Sequence, residues 1–294
     1  LQTPKKKINV VISKSGNTLE TISNSNIFLD KKNTNIFITE NKKSYLMKMA
    51  HKLKSEIIHH NNFIGGRYSV LSEVGMLPAQ LMGFKPEKFR RLNQLINKKY
   101  FINSLIQNVS NIFDLINKNK TNSIILNYDD KSNDLFNWYQ QLVAESLGKN
   151  SKGILPVTSL MPRDNHSLMQ YYLDGKKNNF FTFFFTKEKN SKKIKNDNIL
   201  KSHEYLKNKS LLDISYSQFL ATEKVFKKKN IPYRSFVINN RNEETLPPTH
   251  LDDALTNRWD GLGLPLRPER TRCREANSAR ASLIASALQP RGFL

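Results

Sequence analysis

Short apolar runs rich in β-branched and aromatic residues alternate along this chain with longer stretches of mixed polarity. Ile8–Ile12, Asn35–Thr39, Glu56–His59, Ser123–Leu126, Ile154–Val157, Phe180–Thr186 and Tyr233–Ile238 have the length and character of buried strands. Between them, Leu19–Ser25, Ser44–Lys54, Pro86–Ile96, Tyr100–Asn117, Asn133–Leu147 and Tyr216–Lys229 predict helices. Asn133–Leu147 is amphipathic, setting Leu135, Trp138, Leu142 and Glu145 on neighbouring turns. Strands alternating with helices predict an α/β protein of two doubly wound parallel-sheet domains. The Asn-Lys-rich turn Asn117–Asn122 is the natural break, giving domains over 1–118 and 119–246, and Lys187–Asn198 reads as an exposed lysine-rich loop.

Composition narrows the class. At 294 residues, with 38% apolar and 24% charged positions, the chain suits a soluble globular protein with a sizeable core. Its longest strongly apolar stretch, Phe180 to Phe185, falls far short of the ~20 residues of a membrane span, so a cytoplasmic protein without a membrane partner is expected. The single cysteine, Cys273, excludes an internal disulfide framework and a multi-cysteine metal site, and neither metal nor other cofactor is expected. The net charge of +22 raises the question of nucleic acid. The lysines are scattered, however, and no arginine-aromatic stripe or zinc-finger spacing joins them, so no nucleic-acid partner is expected.

The composition also changes along the chain. All 34 lysines and 6 of 13 arginines lie before Pro247, in a stretch crowded with Asn and Ile; the remaining 7 arginines lie in 247–294 without a lysine. Lys, Asn and Ile use AT-rich codons and Arg, Ala, Pro and Gly use GC-rich ones. Segment 247–294 therefore reads as sequence of foreign origin, or else as an arginine-rich linker with a short helix at Asn277–Leu288.

Four segments carry candidate chemistry. Ser13-Lys14-Ser15-Gly16-Asn17-Thr18 joins the first strand to the first helix, where hydroxyls and exposed backbone N–H groups can cradle a phosphate; a capped turn, with Thr18 as N-cap, is the plain alternative. In Gly65-Gly66-Arg67-Tyr68-Ser69, two glycines permit a tight turn that delivers a permanent cation to a pocket, unless Arg67 is simply a surface residue. Gln141 and Glu145 end the amphipathic helix; a cleft-facing Glu145 can serve as a general base, whereas a solvated one cannot. His166, in Arg163-Asp164-Asn165-His166-Ser167, is either an acid-base group near neutrality or a polar surface residue.

The Ser-x-Ser-Gly-x-Thr loop resembles the sugar-phosphate loop of the sugar isomerase (SIS) superfamily. Gly-Gly-Arg-Tyr-Ser, the run Gln141-x-x-x-Glu145-Ser-x-Gly-Lys and Asn165-His166-Ser167, in this order, resemble the glucose-6-phosphate isomerase family over Leu1 to about Leu246. Glu73 departs from the small residue usual at its position. The resemblance implies two SIS-type domains, a homodimer with shared active sites, and interconversion of glucose 6-phosphate and fructose 6-phosphate through a cis-enediol, without a metal, in glycolysis and gluconeogenesis. It further implies that Ser13, Ser15 and Thr18 bind the phosphate with charge from Lys14, and that Gln141 holds the sugar. His166 would open the ring, Glu145 would carry the proton between C2 and C1, and Arg67 would stabilise the enediolate.

Family members carry a Gly-Gly-Ser segment before the phosphate loop and a lysine-bearing segment near their end. Neither has a match here, so the chain reads as an interior piece of the enzyme with weak or no turnover of its own. The alternatives are a non-catalytic sugar-phosphate-binding SIS module, which needs Ser13–Thr18 but not Arg67, Glu145 and His166 together, a degraded isomerase, or an isomerase acting on other aldose phosphates.

Overall fold

The computed structural model describes residues 7–90, 96–187 and 191–239. Segment 247–294 with Cys273 and the helix expected at Asn277–Leu288, the middle of the helix expected at Pro86–Ile96, and 188–190 of the lysine-rich loop lie outside the described residues. Among the described residues, contacts gather into two compact units, 7–83 and 84–239, and no helix is long and apolar enough to cross a membrane.

The first unit runs β1 (Ile8–Ile12), α1 (Leu19–Phe28), β2 (Thr34–Glu40), α2 (Tyr45–Leu53), β3 (Glu56–His60), a single 3-10 turn at Gly66–Tyr68 and α3 (Glu73–Leu81). Its sheet is parallel, in the order β1-β2-β3, with Ile12 opposite Ile38 and Ile38 opposite Ile58. β2 is flanked on both sides and covered on both faces, which is why it is the most continuously apolar of the three, with Ile36, Phe37 and Ile38 all buried. Val11, Phe37, Leu46 and Ala50 form its core, with Ile22, Leu29 and Leu53 packed against them. Ser44 caps α2 by accepting from the Met47 N–H at 3.2 Å.

The second unit contains α4 (Pro86–Arg90), α5 (Lys99–Asn117), β4 (Asn122–Asn127), α6 (Asn133–Leu147), β5 (Leu155–Leu160), α7 (Asp164–Ser167), α8 (Met169–Asp174), β6 (Asn179–Thr186), α9 (Leu211–Lys228) and β7 (Tyr233–Ile238). The order is β5-β4-β6-β7, again wholly parallel, so the winding direction reverses at β4. The run Asn179–Thr186 is buried along its entire length and divides its side chains between two layers. Phe181, Phe183 and Phe185 meet Phe219 and Phe226 of α9 and Tyr172 of α8. Phe184 and Phe180 face the other way, toward Phe136 of α6 and Leu115 of α5. Helices on both faces make this sheet doubly wound.

The parallel α/β architecture agrees with the alternation of elements in the sequence. Three details differ. α9 starts at Leu211 rather than Tyr216, because Ser210 and Asp213 form a reciprocal capping box ahead of the apolar periodicity. α3 is absent from the pattern of periodic helices because Gly75 and Pro78 interrupt it; the glycine is needed where a Cβ would lie 2.1 Å from the Val70 carbonyl oxygen. α5, placed by the sequence division with the first domain, packs Leu115 against Ile154 and Phe180 of the second sheet, so the contacts divide after Gly83 rather than after residue 118.

Candidate active site

The loop after β1 is held by its own hydroxyls. Ser13 is buried, and its Oγ accepts from the Gly16 N–H at 3.2 Å and meets Thr18 Oγ1 at 2.9 Å. Thr18 occupies the N-cap position of α1 but its side chain caps no N–H; the hydroxyl is turned to Ser13 instead. The first turn of α1 therefore has no side-chain cap, and Ser15 and Thr18 stand exposed beside it. That is the chemistry an anion can use: N–H donors, the positive end of a helix dipole, and hydroxyls that can rotate. Gly16 turns the loop at φ +65°, and a Cβ there would fall 2.2 Å from Ser44 Oγ. The neighbouring α2 start thus presses against the loop, and Asn17 Oδ1 accepts from the Tyr45 N–H at 3.0 Å.

Lys14 does not reach into that loop. Its Nζ donates to the Ile64 carbonyl at 2.8 Å and the Asn62 carbonyl at 3.1 Å, and pairs with Glu40 at 3.1 Å. Glu40, at the end of β2, also pairs with Lys42 at 3.0 Å. Burial opposes ionisation of Glu40, but the hydrogen bonds from Lys42 and Lys14 outweigh it and hold the carboxyl below the usual carboxylate range. Lys14 is thus a strut from the Ser13–Thr18 loop to the segment that carries Arg67. Both loops follow carboxyl ends of the same parallel sheet, where ligand sites of open α/β sheets form.

Arg67 lies half-buried in the 3-10 turn, its guanidinium 5.9 Å from the Tyr68 ring centroid. Ser69 Oγ donates to the Gly66 carbonyl at 2.7 Å and Ser72 Oγ to the Ser69 carbonyl at 2.6 Å, closing the turn. Sequence reasoning passed over His60, the last residue of β3. It is 2% exposed, its Nε2 lies 3.1 Å from the Ile64 carbonyl oxygen, and its Nδ1 pairs with Glu73 Oε1. Burial again opposes ionisation of Glu73, and the bonds from His60 and backbone N–H groups overcome it, so its carboxyl sits below the ordinary range. The one available signal was Glu73 itself, a charged residue at a position read as small.

In the second unit, Gln141 Nε2 donates to Glu145 Oε1 at 2.9 Å, and both residues are exposed in this chain. They lie on the last turns of α6, beside Gln140, whose amide donates to the Pro156 carbonyl at the start of β5 at 3.1 Å. His166 is exposed in α7, beyond the other end of β5. Its turn is fixed by Asp164, a buried carboxylate that accepts from the Leu160 N–H at 2.8 Å, Arg163 Nε at 2.9 Å and Ser159 Oγ at 3.0 Å. Burial opposes the charge of Asp164, but those three donors prevail and lower its pKa. Asp164 went unnoticed in the sequence, although it stands two residues before His166. The geometry joins Gln141 to Glu145 and joins the Ser13–Thr18 loop to the Arg67 loop. It does not join Glu145 to His166: the length of β5, roughly 17 Å at a strand's rise per residue, separates their ends of the sheet.

The model of the phosphoglucose isomerase family matches residues 2–158, more than half of the chain, spanning the Ser13–Thr18 loop, the Gly-Gly-Arg loop and α6. The chain belongs to the phosphoglucose isomerase family. It is similar to a glucose-6-phosphate isomerase from Mycoplasmopsis pulmonis, at 32% identity over 80% of this chain and 59% of that protein. Among solved structures, it resembles a hypothetical protein from Thermus thermophilus (TM-score 0.72, 21% identity, 84% of this chain and 63% of that one). It also resembles a glucose-6-phosphate isomerase from Chlamydia trachomatis (TM-score 0.58, 19% identity, 82% of this chain and 52% of that one), a likeness of fold. The chain spans about half the length of the curated relatives it matches.

Proposed function

We propose that the protein to which these residues belong is a cytoplasmic aldose-ketose isomerase that interconverts glucose 6-phosphate and fructose 6-phosphate. Family membership supports the reaction class, and one observation carries the assignment to this site: the uncapped, hydroxyl-lined start of α1 and the Arg67 loop are braced together by Lys14 at one end of a parallel sheet. A phosphate held at the first brings the sugar toward the second.

In this reading Ser13, Ser15 and Thr18 bind the phosphate, and Lys14 acts through the loop it braces. His166 transfers a proton at the ring oxygen to open the pyranose. Glu145, steadied by Gln141, takes the proton from C2; the electron pair left behind forms the C1–C2 double bond and the carbonyl oxygen at C1 takes up the charge. Arg67 stabilises that oxygen, which then takes the proton of the C2 hydroxyl; as the carried proton returns to C1, the C1–C2 double bond collapses and the C2 oxygen becomes the carbonyl of the ketose. A base for this step works best desolvated, whereas Glu145 is exposed in the isolated chain. Its separation from His166 by the length of β5 gives both facts one account: a homodimer in which one subunit supplies the glutamate and the other the histidine, covering both.

The test is Glu145→Gln in the full-length protein, followed by conversion of glucose 6-phosphate. Turnover should fall by about 10³-fold or more while KM stays within about threefold, the signature of an interaction made in the transition state. Full activity in that variant sinks the assignment. Equal mixtures of Glu145→Gln and His166→Ala subunits should regain part of the turnover neither shows alone, and failure to do so under subunit exchange rejects the shared site.

A further inference from the structure

The segment 61–72 leaves the end of β3 and returns at the start of α3, carrying Gly65, Gly66 and Arg67. Two adjacent glycines cannot hold a turn by side-chain contacts; something must fix the backbone around them. The fixed point is the Ile64 carbonyl, immediately before the pair. It receives Lys14 Nζ at 2.8 Å from one side and lies 3.1 Å from His60 Nε2 on the other. His60 can serve there only as a donor, since its neighbour is a carbonyl oxygen. How the ring is turned is set by the partner of the other nitrogen. That partner is Glu73, the first residue of α3. The pair thus ties the last residue of one end of the segment to the first residue of the other, and through Nε2 to the backbone just ahead of the glycines. The His60 side chain is 1% exposed, so the ring finds its partners within the protein.

We infer that His60 and Glu73 are positioning residues for the Arg67 loop, a linked pair in which Glu73 orients the imidazole and the imidazole clamps the Ile64 carbonyl. The charged groups that bear on the clamp are Lys14, which shares the Ile64 carbonyl, and Glu40, which holds Lys14. The contacts of the pair run to each other and to the backbone ahead of the glycines, so the pair acts through the Arg67 loop and not on the substrate. The inference rests on the isomerase reading for its kinetic consequence, and on geometry alone for its structural one.

The experiment uses the full-length protein, with Glu73→Ala, Glu73→Gln and the double variant His60→Phe/Glu73→Ala. Displacing a preorganised cation by an ångström is worth up to about 100-fold, so Glu73→Ala should lower kcat about 10- to 100-fold with KM within about threefold. Glu73→Gln keeps an amide against Nδ1 and should retain kcat within about threefold. The double variant leaves no orphaned partner and should recover the stability lost in Glu73→Ala, because replacing both members of a buried pair is far milder than removing one. It still lacks the clamp, so its kcat should stay low. A pair with a merely structural role would recover kcat together with stability, and that result overturns the inference, as does Glu73→Ala at parental kcat. Hydrogen exchange provides the arm that needs no activity: amides of 64–69 should exchange faster in both alanine-bearing variants while those of β1–β3 do not change, and unaltered exchange at 64–69 rejects the clamp. A parent without turnover but with the expected exchange pattern rejects the isomerase reading and leaves the clamp standing.

Discussion

The two units hold their candidate residues by opposite means. In the first, a three-stranded sheet with a small core of Val11, Phe37, Leu46 and Ala50 bears two long loops at its carboxyl end, and polar contacts do the positioning: Ser13 with Thr18, Lys14 with Ile64 and Glu40, His60 with Glu73. In the second, a four-stranded sheet is filled by an aromatic core. Phe183 alone makes edge-on contacts with Phe219, Phe226 and Tyr233 at centroid separations of 5.2 to 5.6 Å. Its candidate residues stand at opposite ends of that rigid body, Glu145 beyond the start of β5 and His166 beyond its end. A core holds elements; it does not shape loops. Where two loops are tied to each other, the chain uses charge-assisted hydrogen bonds, which are directional. Where side chains need only be presented on separate faces, packing suffices.

The largest effect should come from breaking the second unit's core. Phe183→Ala removes a ring with no exposure and leaves a cavity in the aromatic core; the expected loss is about 3–5 kcal/mol, read as a lower urea midpoint. An equivalent truncation in the first unit has a smaller core to disrupt, so a loss under about 1 kcal/mol at Phe183 would undo the contrast. Next comes Gly16→Ala. A Cβ at φ +65° costs about 1–2 kcal/mol by backbone alone, and here it also meets Ser44 Oγ at 2.2 Å. The loop must move away from α2, so affinity for a non-reacting sugar phosphate should drop tenfold or more while the second unit's exchange protection stays constant. Retained affinity would mean that the loop does not form the anion site. Ser44→Ala is milder, about 1 kcal/mol for a lost cap, with a two- to threefold loss of sugar-phosphate affinity because α2 backs the loop.

Much of this arrangement can be read in the chain. Each strand declares itself by a short apolar run, and β6 does so most plainly because burial on both faces leaves its pattern unbroken apart from Asn179, Thr182 and Thr186. The opposed placement of Glu145 and His166 is also legible once topology is applied: a crossover helix between parallel strands runs antiparallel to them, so a residue at its end belongs with the start of the next strand. What is not legible is the pairing of polar groups across the fold. Lys14 looks like the natural cation for a phosphate, being inside the loop; only the fold reveals that Glu40, 26 positions on in sequence, and two carbonyls of the Arg67 loop draw it away. His60 reads as one more polar strand residue until Glu73 is found beside it. Local propensity and periodicity carry no information about such partners, since a hydrogen bond between loops depends on where strands end in space.

The smallest effect is an acid one, and it tests whether charge really does the bracing in the first unit. Glu40 has a folded-state pKa below its unfolded value, held there by Lys42 and Lys14 against the opposing effect of burial. A depressed carboxylate contributes stability that is fully present above the unfolded pKa, near 4.5, and is lost as pH falls through the lower folded value. Glu40→Gln removes the charge while keeping the shape. Its stability deficit relative to the parent should therefore be largest near neutrality and should shrink steadily below about pH 4.5, approaching zero once the parent's own carboxyl is protonated. Urea midpoints of both proteins at a series of pH values supply the comparison. A parallel pair at Asp164→Asn should behave in the same direction, since that carboxyl is also depressed, but its effect should track protection of the His166 turn and not that of the Arg67 loop. A deficit at Glu40→Gln that does not vary with pH would mean that the side chain's shape, not its charge, holds Lys14 between the two loops.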